Sequence, residues 1–413
     1  MNATIRLSHR TQLWCLRHPG ALTRAVLSLF YNVEVALYTV NGALTFLERR
    51  RDLFGPNYAA LGRFIVGDYT DTVRILQEPQ SRGDFLGRGR LVADRLPHGF
   101  LLSLSDQDAG ADGQHAALRK VLWDTIIVSA QERLGDPRLQ AIVDGLSEEL
   151  KPFGTAPTKD QVESPSQRMV IRYMYASLLD LHLTDAQVDQ LQKLYYTGGP
   201  TSNYTAAILK PFGLPSFLLG GLNRSLNEVI GWIEASPGLE AYAPTEESGS
   251  LTKRQWAELV NSLIGIAALG GGGNLIVRML SETPADHAID LDDDRAVMGA
   301  VLEAARRHAP VNNINVELTE ARSYTVSGTR VELPKGTVVA ASIGLASVDP
   351  SQWPDPSAFD PERPNLQDAI VNFNTLGYHP TGDTGRRTCP GRNVAVAMGM
   401  ATFRSWRRAV GLG

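Results

Sequence analysis

The stretch Gly385-Arg386-Arg387-Thr388-Cys389-Pro390-Gly391-Arg392 sets one of the chain's two cysteines just ahead of a helical pattern over 393–410. Helix N-terminal amides and nearby arginines favour thiolate over thiol. Flanking glycines let the backbone approach a ligand and offer N–H groups to sulfur. A thiolate held this way is a nucleophile or a metal ligand. A nucleophile wants a His base; His379 and His308 are present, but no cysteine-hydrolase signature accompanies them. Zinc wants three or four ligands, and no second cysteine or paired histidine lies near. One thiolate suffices as the axial ligand of a haem iron. An ordinary buried free cysteine fits the same residues equally well.

Upstream of this stretch, from Pro310 onward, prolines thicken and the chain is turn-rich. Irregular chain of that length is costly in a compact domain unless something organises it. Earlier still, apolar residues recur at helical spacing over 116–129, 137–150, 166–183, 184–196, 222–235, 252–268 and 293–307. Strand-like patterns are fewer, with 62–66, 331–333 and 337–341 the best. The polar stretch 243–250 reads as a connection between two helices. The class expected is mainly α with a smaller β portion.

Composition excludes several alternatives. The 413 residues carry 40 Lys+Arg against 44 Asp+Glu, a formal charge of −4. That balance lacks the basic field of a general nucleic-acid binder. The hydrophobic share of 43% is too high for disorder. Cys15 and Cys389 cannot make a disulfide-rich scaffold. The early apolar stretch 21–47 is interrupted by Arg24, Asn32, Glu34 and Asn41, so no membrane span is expected. No secretory signal is evident, and a cytoplasmic, reducing compartment is expected.

Glu303 and Arg306 stand three apart on a helical pattern and can pair on one face; a solvated surface pair is the alternative reading. Next come Pro334-Lys335-Gly336, Asp349-Pro350, Trp353-Pro354-Asp355-Pro356, Phe359-Asp360-Pro361-Glu362-Arg363 and Cys389-Pro390-Gly391. In order and rough spacing this series resembles the C-terminal half of the cytochromes P450. The resemblance implies one haem domain over 1–413. It implies haem b held by Cys389 as metal ligand, and a structural network of Glu303, Arg306 and Arg363. Upstream, 62–67 is similar to the family's first β-strand. His115 and Arg119 match its propionate-binding helix, and their i,i+4 spacing puts both on one face. Arg387 matches a further propionate contact.

The sequence also departs from that family. Gly382 stands where an aromatic is usual, in a loop 378–384 that looks rebuilt. The distal helix usually carries an acid–alcohol pair that supplies protons for dioxygen cleavage. Here the matching region is 267–275, with Gly273 and Asn274 aligned to the acid and alcohol. Such a run of glycines in a helix costs about 1 kcal/mol each and reads either as a kink or as room for a ligand. Asn315 replaces a usual propionate-binding Arg, and Val348 an Arg before Asp349. The chain ends at Gly413, before the usual C-terminal hairpin, which implies a more open pocket or one closed by another segment or chain.

The resemblance implies a haem-thiolate oxidoreductase acting on a lipophilic small molecule. Loss of the acid–alcohol pair points to peroxide chemistry, either hydroperoxide rearrangement or peroxygenation. Allene oxide synthases are similar in lacking that alcohol. The alternatives are a monooxygenase fed by a separate ferredoxin-type donor, and a degenerate, non-catalytic haem-binding protein. The apolar, Pro/Gly-rich segment 209–222 reads as part of an access lid or as a plain inter-helix loop.

Overall fold

Leu61 and Gly62 both take positive φ, 55° and 67°. This is the conformation of a two-residue turn whose twist suits a β-hairpin. The turn joins β1 (Asn57–Ala60) to β2 (Arg63–Val66), and its amides are not left to water. The Leu61 N–H donates to Glu34 Oε2 at 2.5 Å and the Gly62 N–H to Gln12 Oε1 at 2.7 Å. Glu34 is buried and also pairs with Arg50 at 3.1 Å. Three N-terminal helices, α1 (Asn2–Arg17), α2 (Ala21–Asn41) and α3 (Ala43–Phe54), are thereby fastened to the sheet.

The sheet continues with β3 (Ile314–Glu317) and β6 (Val338–Ala341) in the order β1-β2-β6-β3. Only the β2–β6 pair is parallel, with Phe64 opposite Val339. A second hairpin, β4 (Arg322–Val326) with β5 (Thr329–Leu333), turns at Ser327 and Gly328, again both at positive φ. The region 314–341, read from the sequence as turn-rich, therefore contains four strands. Two of them overlap the expected 331–333 and 337–341.

The computed structural model describes residues 2–41, 43–81, 112–196, 220–246, 250–380 and 387–412. About 61% is helical, which sets the class as mainly α. The helices that follow are α4 (Tyr69–Gln77), α5 (Asp112–Leu122), α6 (Val128–Glu132), α7 (Pro137–Leu150), α8 (Lys159–Leu179), α9 (Asp185–Tyr195) and α10 (Gly220–Glu234). Then come α11 (Lys253–Ser262), α12 (Leu269–Glu282), α13 (Asp294–Arg307), α14 (Ile343–Ala346), α15 (Leu366–Ala369) and α16 (Arg392–Ala409). The α8 helix runs straight through Pro165, which the expected start at 166 had treated as a boundary. Its N-terminus is set by a capping box of Thr158 and Gln161 instead.

Two helices contain π turns. Trp123–Ile127 joins α5 to α6, and Leu263–Ala268 joins α11 to α12. The glycine run is thus neither a loop nor a break. It is the first turn of α12, in a helix continuing well past the expected end at 268. The run Lys253–Glu282 is long and apolar enough to cross a membrane by length and composition, but 59% of its apolar window is buried, as in a core helix. It packs between α8 and α16 in the largest apolar cluster, where Trp256 and Trp406 are fully buried.

His308 ends α13. Burial pushes its pKa down from 6.5 to about 4, against the pull of Glu282 at 3.1 Å. It is neutral in the fold, whereas the unfolded chain takes up the proton near 6.5. Stability present above pH 6.5 is therefore lost as the pH falls towards about 4. The urea midpoint should drop across that window and drop less in His308→Gln. Identical pH profiles for the two proteins would contradict this.

Candidate haem-thiolate site

Cys389 sits three residues before the fully buried Arg392, the first residue of α16. Its loop is tied from several sides. The Cys389 N–H donates to Phe373 O at 2.8 Å, and Asn374 Nδ2 donates to Arg387 O at 2.6 Å. Arg392 reaches back, with Nε donating to His379 O at 2.7 Å and Nη1 to Cys389 O at 3.3 Å. Arg392 and the two residues 373 and 374 were not foreseen. The only signal for Arg392 was an Arg at a helix start, where a cation opposes the helix dipole.

Burial pushes the Cys389 thiol up, while the Gly391 N–H, Arg119 and Arg392 act the other way. The sequence reading weighed the helix amides and arginines without the burial, and burial wins. A thiol held up this way is not an activated nucleophile. A bound metal ion reverses that balance, because a coordinating thiol gives up its proton outright.

His115 and Arg119 lie on α5, and both are buried, as is Arg387. Arg119 is near enough to Cys389 to act on its thiol. Buried cationic or protonatable side chains on α5 and in the Cys389 loop are the kind of groups that hold a cofactor with carboxylate arms. Among the described residues no three His, Cys, Asp or Glu gather as a metal set, so the donors fit a single-thiolate haem better than zinc.

Glu303 and Arg306 are fully buried. Arg306 grips Glu303 through two hydrogen bonds of 2.7 and 2.8 Å and donates to Ser347 O and Pro356 O. Arg363 Nε donates to Glu303 Oε1 at 3.1 Å. Its other nitrogens donate to the carbonyls of Pro354 and Asp355 at 2.7 and 2.8 Å. The surface-pair alternative is excluded. The network clamps the loop 347–363 onto α13, and Asn372 Nδ2 extends it to Ala305 O at 2.6 Å.

On α12 the glycines divide by face. A Cβ on Gly272 would meet Met174 Cε at 3.0 Å, and one on Gly273 would meet the Tyr196 hydroxyl at 2.7 Å. A Cβ on Gly265, in the π turn, would strike the Tyr195 ring. These glycines serve close packing. Gly270 and Gly271 instead meet no atom of the described residues within 4 Å, and Asn274 shares their side and is exposed. The expected pair is therefore separated. Gly273 turns to Tyr196, whose hydroxyl donates to Leu269 O at 2.6 Å, while Asn274 stays on the open face and donates to Pro310 O.

Asn315 lies on β3 opposite Ala340 and accepts from Arg63, so it holds the sheet together. Gly382 and residues 381–386, like most of the segment 209–222, lie outside the described residues.

The family profile described as Cytochrome P450 matches residues 296–404. Ent-cassadiene hydroxylase of Oryza sativa subsp. japonica is 35% identical over 103 residues, 24% of this chain and 18% of that protein. Putative cytochrome P450 140 of Mycobacterium bovis is 33% identical over 141 residues, 33% of this chain and 27% of that one. The matches thus span about a quarter or less of these relatives' length. Among solved structures, CYP109B1 of Bacillus subtilis superposes with a TM-score of 0.59 at 17% identity, covering 89% of this chain and 91% of that one. P450BioI, solved with a fatty-acid-ligated acyl carrier protein, gives 0.59 at 16%, covering 89% and 92%. Members of that family bind haem b through a cysteine thiolate. Residues 296–404 thus carry the cytochrome P450 profile, and the chain as a whole has the cytochrome P450 fold.

Proposed function

We propose that this chain is one haem domain working as a haem-thiolate oxidoreductase on a lipophilic small molecule, by peroxide-type chemistry. Cys389 would hold the iron, and His115, Arg119 and Arg387 the haem carboxylates. When bound, the haem would supply the iron that activates the O–O bond, and the peroxide itself would be the oxidant.

One observation carries the preference for peroxide. The open face of α12 presents Gly270, Gly271 and Asn274, with no carboxylate or hydroxyl. Among the described residues, α12's own side chains on that face offer no group that holds and passes on a proton at neutral pH, and Asn274's amide is engaged with Pro310. A substrate that brings its own O–O bond does not require such a relay. The glycines also leave space where side chains would stand. A second reading, monooxygenation with electrons from a ferredoxin-type donor, is favoured by the relatives, whose names include hydroxylases and a demethylase.

Turnover of a fatty-acid hydroperoxide without reductase or nicotinamide separates the two. The peroxide reading expects it to proceed. Strict dependence on a reductase and dioxygen would establish the second reading. Under the peroxide reading, Gly270→Asp with Gly271→Thr should raise reductase-fed turnover by about 10²-fold, the scale of a positioned proton donor. Hydroperoxide turnover should change far less.

A further inference from the structure

Eight large hydrophobic side chains stand exposed among the described residues, and five belong to α1 and α2: Leu7, Trp14, Leu22, Leu29 and Val33. Their spacing is regular. On α1 the inward face is His9, Gln12, Cys15 and Leu16, which are buried. The outward face, at i, i+3, i+4 and i+7 from Leu7, carries Leu7, Arg10 and Trp14, with Arg6 and Arg17 beside them. On α2, Leu22, Ala25, Leu29 and Val33 are exposed at helical spacing. Trp14 is 57% exposed and Leu22 79%, so these are not rims of a buried core.

Neither helix is a loose appendage. The turn between them is closed by Thr23 Oγ1, which accepts from the Gly20 N–H and donates to His18 O. Both helices are fastened to the Leu61–Gly62 turn through Gln12 and Glu34. The fold holds this apolar pair rigidly with its large side chains outward. Large exposed apolar side chains gathered on one pair of helices, rather than scattered singly, mark an interaction site.

The charge pattern selects the partner. Arg6, Arg10, Arg17 and Arg24 are exposed, and the only acid on the two helices, Glu34, is buried and paired with Arg50. This holds in a chain whose formal charge is −4. A second copy docking by the same face would bring arginines against arginines across a two-fold axis. An acidic lipid surface matches both features. Its headgroups take the arginines, and the acyl boundary takes Leu, Val and the amphipathic Trp ring.

We propose that α1 and α2 form a docking face for an anionic bilayer surface, on which the protein lies without spanning it. The inference does not depend on the proposed reaction.

The experiment uses the full chain with phosphatidylcholine vesicles, with and without phosphatidylglycerol. Cosedimentation is expected with the anionic vesicles only, weakening with added salt. Arg6→Ala, Arg10→Ala and Arg17→Ala together should lower partitioning on the order of 100-fold, from about fivefold per basic residue. Trp14→Ser with Leu29→Ser should abolish it without changing the urea midpoint, since both positions are exposed. In the unaltered protein, brominated anionic lipid should quench tryptophan emission, and Trp14→Phe should remove that quenching. No binding, equal binding to neutral vesicles, or quenching that persists in Trp14→Phe would overturn the proposal. So would a concentration-dependent dimer lost in the Trp14 and Leu29 variant, which would assign the face to a second copy.

Discussion

Cys389→Ser is expected to erase the thiolate signature from the spectrum of the reduced, carbon-monoxide-treated protein and to cut turnover by more than about 10²-fold. Removing only an outer partner of a metal ligand already costs that much. The reasoning lies in the loop. Cys389 is placed by its own N–H on Phe373 O and by Arg392 and Asn374 on neighbouring carbonyls, none of which depends on the sulfur. A serine should therefore keep the loop and lose only the ligand. Cys15→Ser is the control. Cys15 is buried on α1, away from this loop, and its replacement should leave the spectrum unchanged. A thiolate spectrum surviving in Cys389→Ser would end the haem-thiolate reading.

The second large effect is on stability. Glu303→Ala should destabilise the fold by about 3–5 kcal/mol, the cost of breaking a buried pair and leaving its partner uncompensated. Arg306 is fully buried, and alanine would strip its carboxylate while its other bonds hold it in place. Arg363→Ala leaves Glu303 still paired with Arg306 through two hydrogen bonds, so it should cost less, about 1.5–3 kcal/mol. Denaturant midpoints of the purified variants rank them. A Glu303→Ala protein as stable as the parent would show that the clamp contributes nothing to the fold.

These two sites were also the most legible in the sequence. Glu303, Arg306 and Cys389 were picked out by the order of the motifs around them, since alone the pair fits a solvated surface pair and the cysteine an ordinary free thiol; only their helical spacing is local geometry, which a sequence shows. Helix bounds such as Pro137–Leu150 came through for the same reason. Strands β1, β3 and β4 were missed because each is short and defined by partners far along the chain. Glu34, Gln12 and Arg392 act on backbone groups that only the fold brings near. The rise of the Cys389 thiol was illegible because desolvation depends on what surrounds the sulfur.

The division of the glycines on α12 was illegible for a different reason. The sequence offered a kink or room for a ligand over 267–275 and no sign of the π turn at Leu263–Ala268, which sets where the helix beyond it points. One extra residue rotates everything beyond it by roughly 100° about the axis. The open side of α12 is thus a matter of phase as much as of composition. Deleting a single residue from that turn would leave the glycines in order yet aim them elsewhere, so the helix can be re-pointed by length alone.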